Sequence, residues 1–113
     1  MNEFLYLFRG GNAERGAFSP EQMQAQMARW QSWMGQLAEE GKLHSPGAPL
    51  QAAGKVVAKG GVITDGPFTE GKEIVGGYII VKAKDINDAA TISKGCPIFE
   101  VGGTVEIREI APM

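Results

Sequence analysis

The order of apolar runs, helix signals and turns predicts an α+β domain with the element order βαββαβ, interrupted by a β-hairpin between the second and third strands. Three observations carry this. Phe4-Leu5-Tyr6-Leu7-Phe8 and Tyr78-Ile79-Ile80-Val81 are short runs, apolar at every position, as strands buried on both faces are. Two segments open on helix caps, at Ser19-Pro20 and at Asp85. Gly60-Gly61 separates two β-branched runs, Val56-Val57-Ala58-Lys59 and Val62-Ile63-Thr64-Asp65, as a two-residue hairpin turn would.

The elements follow in order. The first strand, Phe4–Phe8, is closed by Arg9-Gly10-Gly11-Asn12. Ser19 is the N-cap of the first helix, Pro20 takes its first position, and Gln22 completes a capping box. Met23, Met27, Trp30, Met34 and Leu37 recur at spacings of four and three, so one apolar stripe packs on a sheet, and Gly41 ends the helix. Leu43 to Leu50 contains Pro46, Gly47 and Pro49, which restricts it to a short edge strand. Gly76 to Lys84 is the third strand of the basic order. Asp85, with Asp88 three residues on, caps a second helix that ends at Gly95 before Cys96-Pro97. Thr104-Val105-Glu106-Ile107-Arg108 alternates, as a half-exposed last strand does.

Without the hairpin this is the ferredoxin-like order, in which the first and third strands are central. Those are the two runs apolar on both faces. Two helices cover one face of a four-stranded sheet, and a single 113-residue domain has nothing left for the other. A second copy of the same sheet is the simplest cover, so a homodimer is expected.

Composition excludes several classes. The net charge is -2 and the pI is about 5.4, against the basic face that nucleic-acid binders display. No window approaches the roughly 18 apolar residues of a membrane span. Met1-Asn2-Glu3, five apolar residues and Arg9 do not make a signal peptide. The single cysteine fits a reducing cytoplasm.

Candidate site residues concentrate in Asp65-Gly66-Pro67-Phe68-Thr69-Glu70-Gly71-Lys72-Glu73, which runs on into Gly76-Gly77-Tyr78. Two readings of this stretch stand. In one it is a folding device, with Asp65 bonded to backbone amides, Pro67 stiffening the turn and Phe68 as an anchor for the hairpin. In the other, Asp65, Glu70 and Glu73 are acid/base or ligand groups of a cleft, and Lys72 holds an anion. His44 is the one side chain whose ordinary pKa lies near neutrality, a second candidate general base. Tyr78 is a candidate polar tip in an apolar pocket. Asp65 and His44 are therefore the candidate catalytic residues, and Glu70, Lys72, Glu73 and Tyr78 the candidate ligand-binding ones. One histidine with scattered carboxylates lacks zinc-ligand spacing, and no phosphate-loop pattern follows Gly60-Gly61, so neither metal nor cofactor is expected.

The Asp65–Glu73 string resembles the signature of the DGPF proteins, a branch of the YCII-related family of small bacterial domains, and the resemblance extends over nearly the whole chain. It implies a dimeric α+β barrel and a stress or regulatory setting, since similar proteins are often encoded beside sigma factors. It also implies a distant kinship to a dehydrochlorinase, hence lyase or hydrolase chemistry as the enzymatic alternative. In the branch with a proposed catalytic dyad, a histidine lies on the first helix and an aspartate precedes a proline after the second. The matching positions here are Trp30 and Cys96-Pro97, so that dyad does not carry over. The expected functions are thus a homodimeric ligand-binding or regulatory domain or, alternatively, a cofactor-independent enzyme acting on a polar small molecule.

Overall fold

The computed structural model describes residues 1–66 and 73–113. Nine elements follow in chain order: β1 Asn2–Arg9, α1 Asn12–Gly16, α2 Pro20–Glu39, β2 Leu43–Pro49, β3 Lys55–Val57, β4 Ile63–Asp65, β5 Val75–Ala83, α3 Ile86–Ser93 and β6 Thr104–Glu109. Four strands form an antiparallel sheet in the order β2-β5-β1-β6, and β3 pairs with β4 in a separate ribbon. The ferredoxin-like arrangement is therefore present, with β1 and β5 in the centre. Phe4 lies opposite Val81, Tyr6 opposite Ile79 and Phe8 opposite Gly77, with a bulge after Phe8.

Alternation in β1 separates the two faces. Phe4, Tyr6 and Phe8 are buried, while Glu3, Leu5, Leu7 and Arg9 are half-buried on the reverse side. Tyr6 marks the covered face, because its ring stacks on Trp33 of α2 and its hydroxyl donates to the Ala89 carbonyl of α3. Both main helices thus lie on one side. The core between them and the sheet holds Phe4, Tyr6, Phe8, Trp33, Leu37, Ile79, Val81, Ala89, Cys96, Ile98 and Val101.

The cap signals act as the sequence implied. The Ser19 hydroxyl accepts from the Gln22 amide, and the Gln22 side chain accepts from the Ser19 amide. Gly41, at φ +72, ends α2 in a Schellman motif, with Lys42 donating to the Leu37 carbonyl and Gly41 to that of Ala38. At α3 the Asp85 carboxylate accepts from the Asp88 amide at 2.8 Å.

Two expectations need correction. The buried side of α2 centres on Gln26, Trp33 and Leu37, while Met23 and Met27 are exposed. The apolar periodicity passed over Gln26 because it is polar, yet its amide satisfies itself inside: Nε2 donates to the Pro97 carbonyl and Oε1 accepts from Arg29. The hairpin connection is five residues rather than two, since Val57 pairs with Ile63, and a short 3-10 turn at Lys59–Gly61 fills it. Two further pieces carried no clear signal: α1, and a 3-10 turn at Pro97–Val101 that seals one end of the core. The proposed anchoring of the hairpin by Phe68 lies outside the described residues. The described hairpin residues from Lys55 to Asp65 are all exposed.

Candidate active cleft

A cleft of about 500 Å³ opens between α2 and the β2–β5 edge of the sheet. Met27, Trp30, Gln31 and Met34 line it from α2, Pro46, Ala48 and Pro49 from β2, and Gly76 to Ile79 from β5. Phe8 and Arg15 also line it. Trp30 meets Phe8 edge-to-face, with ring centroids 4.9 Å apart, so a rigid aromatic corner forms one wall.

Local sequence explains why a cleft exists here. Pro46 and Gly47 disrupt the pairing of β2, whose register shifts between Ser45 and Ala48. Gly47 adopts φ +54 and lies so close to Tyr78 that a Cβ would overlap the Tyr78 carbonyl. Across the same edge, a Cβ on Gly77 would stand 3.1 Å from the Ala48 carbonyl oxygen and 3.3 Å from Pro49 Cα. Glycines on both strands allow close backbone approach, and the prolines keep β2 from continuing the sheet flatly over α2. The helix above contributes methionines, whose flexible thioether chains fill irregular space without closing it.

Arg15 is set by a glycine pair. Gly10 and Gly11 have φ values of +81 and +79, a conformation available to glycine at little cost. Their carbonyls accept from the Arg15 guanidinium, Gly11 from Nε at 3.2 Å and Gly10 from an Nη at 2.8 Å. The guanidinium also lies beside Gly76, where a Cβ would sit 3.5 Å from its Nη. Among the described lining residues Arg15 carries the one charge.

The sequence candidates are dispersed. Tyr78 lines the cleft. Asp65 ends β4 on the exposed ribbon, paired with Lys55 across it, and is not among the lining residues. His44 lies on the sheet face away from the helices, its Nε2 3.1 Å from a Glu3 carboxylate oxygen. Glu73 is exposed, and its carbonyl accepts from Arg9 at 2.7 Å. Glu70 and Lys72 lie outside the described residues. The described candidates thus do not converge on one point, and the cleft is built by Arg15, Met27, Gln31 and Met34, which sequence reasoning did not single out. The methionines were read as core stripe. Arg15 was legible only as a cation held between Gly10-Gly11 and Gly16.

Cys96 and Tyr6 are buried beneath the helices. Burial pushes the Cys96 thiol up to about 12, Glu100 adding to the rise and a backbone hydrogen bond from Ile98 opposing it. Such a thiol is neutral at physiological pH and is no nucleophile. Burial, with Cys96 and Asp88 nearby, likewise raises the Tyr6 phenol. At the rim of the open face, a hydrogen bond from Arg9, with Arg108 nearby, holds the Glu106 carboxyl below its usual range. Among the described residues no group of three or more His, Cys, Asp or Glu is placed to hold a metal ion. No described helix is long and apolar enough to cross a membrane.

The profile of the YCII-related domain matches residues 5–113. No curated protein matches the chain significantly. Among solved structures, the 5-chloro-2-hydroxyhydroquinone dehydrochlorinase of Burkholderia phenoliruptrix, in complex with 2,5-dihydroxybenzoquinone, is similar at 14% identity and a TM-score of 0.45, over 96% of this chain and 93% of that one. A likeness this distant says nothing about the chemistry of the cleft.

Proposed function

The chain belongs to the YCII-related family, and from that premise we propose that it is a homodimeric small-molecule-binding domain whose ligand occupies the cleft between α2 and the β2–β5 edge. The cleft itself carries the reading: about 500 Å³, within the usual range of ligand pockets, lined by aromatic and thioether groups with a few polar tips. Those polar tips, from Arg15 and Gln31, are groups that bind and orient. The acid/base alternative draws on Asp65, Glu70, Glu73 and His44; Glu70 lies outside the described residues, and the other three are not among the described lining residues.

Within the family we assign the chain to the DGPF branch, on Asp65-Gly66-Pro67-Phe68. Dimerisation through the sheet is supported by Leu5, Leu7, Tyr78 and Ile80, which form a half-buried apolar strip on the face without helices. Polar pairs flank it, Arg9 with Glu106 at 2.9 Å and Glu3 with His44 at 3.1 Å. A single, buried, neutral thiol suits a reducing cytoplasm, where we place the protein.

A fragment screen read by nuclear magnetic resonance tests the binding reading. Binders should move the amides of Gly76 and Gly77 and the indole N–H of Trp30. A panel of one- and two-ring compounds that leaves all three unmoved at millimolar concentration refutes it.

A further inference from the structure

We propose that the β3–β4 ribbon is an arm that lies against a second copy of this chain, so that each protomer of the dimer is held by its partner's ribbon as well as by the sheet. This rests on the homodimer reading and adds a second contact surface to it.

Local sequence builds a ribbon that is poorly supported alone. Val56, Val57, Val62 and Ile63 are β-branched and favour extended backbone, and Gly60 and Gly61, at φ +86 and +81, let the chain reverse. The Gly66 amide donates to the Gly54 carbonyl at 3.1 Å and closes the base. Among the described residues, β3 and β4 pair with each other and with no strand of the four-stranded sheet. A two-stranded hairpin without a packed face is marginal in water. Yet every residue from Lys55 to Asp65 is exposed, Val56 at 44%, Val57 at 65%, Val62 at 58% and Ile63 at 63%. Such a group of apolar side chains marks a contact surface.

Strand pairing shows that one covering surface is not enough. Val57 lies opposite Ile63 and Val56 opposite Thr64, so neighbouring pairs point to opposite sides of the ribbon. Both sides are therefore partly apolar. The body of its own chain could cover one of them, and in the structure it covers neither. The radius of gyration is 15.4 Å, against about 13 Å for a compact chain of this length, as a segment standing off the body would make it.

The surface that a dimer needs identifies the occupant. A stable interface draws about 800 Å² and roughly 20–30 residues from each partner. The open sheet face offers Leu5, Leu7, Tyr78 and Ile80, all half-buried and flanked by polar pairs. Four such side chains are a small part of that need. The four apolar side chains of the ribbon are each more exposed than those of the strip. In a two-fold pair the contact is reciprocal, so each chain both extends a ribbon and receives one. Closure also leaves no apolar ribbon free to recruit further chains.

The test follows contacts between chains in full-length protein, with ¹³C-labelled and unlabelled copies equilibrated together. Isotope-filtered nuclear Overhauser spectra should show the Val57 and Ile63 methyls close to protons of the other copy. Replacing both by serine, Val57→Ser with Ile63→Ser, should raise the dimer dissociation constant in sedimentation about a hundredfold. If Leu7 and Ile80 meet the other copy while the ribbon methyls do not, the arm is wrong and the sheet dimer stands. Ribbon methyls that meet only their own chain, or a double variant that dimerises as tightly as the wild type, overturn the arm in the same way. A wild-type particle of one chain at every concentration removes arm and dimer together and leaves the ribbon to another protein. Should the double variant fail to fold, the wild-type spectra still decide.

Discussion

Replacing Cys96 by alanine should reverse its effect on stability as the pH rises. The thiol is 3% exposed, and burial raises its pKa from 9.0 to about 12. Above pH 9 the unfolded chain ionises this group while the folded protein keeps the proton. The unfolded state then binds fewer protons, so stability falls with pH by about 1.4 kcal/mol per unit. The window runs from 9.0 to about 12, roughly three units, and the whole loss is about 4 kcal/mol, a large share of an ordinary domain's stability. Below pH 9 the folded protein has the full benefit of the buried neutral thiol. There Cys96→Ala only leaves a small cavity and is less stable by about 1–2 kcal/mol. The variant lacks the titration, so its stability curve should cross that of the wild type about one pH unit above 9.0 and exceed it by pH 11. Tyr6 also loses stabilising effect as pH rises past its ordinary 10.0; the part due to burial, its largest cause, is common to both proteins and cancels in the difference, while the smaller part due to Cys96 is lost in the variant. Urea unfolding followed by tryptophan fluorescence, under reductant at one protein concentration, measures both curves. Parallel curves between pH 8 and pH 11 would refute the burial argument.

Other perturbations address the core, the cleft edge and the open face. Tyr6→Phe removes the donor to the Ala89 carbonyl and should lower stability by about 1–3 kcal/mol in the same unfolding assay, with Trp33 still stacked on the ring. Gly47→Ala places a Cβ onto the Tyr78 carbonyl at a positive φ, so the β2–β5 edge should separate. Amide exchange should then quicken at Ala48 and Leu50 while Tyr6 and Ile79 stay protected; unchanged exchange at that edge would argue against the close approach. Light scattering should give a particle about twice the 12.1 kDa chain, and Leu7→Lys should shift it toward one chain. A 12.1 kDa wild-type particle at micromolar concentration would remove the dimer from the proposal.

Elements with local physical codes were legible in the residues alone. Ser19-Pro20-Glu21-Gln22 and Asp85 specify helix starts because a side chain within three residues satisfies orphan amides. Gly41 specifies a stop because glycine takes a positive φ at little cost. The two-sided apolarity of Phe4–Phe8 and Tyr78–Val81 placed them at the centre of the sheet, and the observed order places them there.

Tertiary structure alone decided which side of each element mattered. Gln26 is buried because the Pro97 carbonyl, 71 residues away in sequence, meets its amide, and no periodicity along α2 contains that information. Met27 and Met34, indistinguishable from core residues by pattern, line a cleft because the prolines of β2 hold the sheet edge apart from them. Asp65 looked like a site residue because charge crowds its neighbourhood; among the described residues β4 pairs with β3 alone, and the ribbon presents Asp65 and Lys55 to solvent together. Arg15 became a cleft residue through the fold of Gly10 and Gly11, whose carbonyls accept from it and whose backbone meets Val101 and Ile74. Local signals are written in one turn of chain, whereas a cleft is a space between segments that meet only when the sheet has formed.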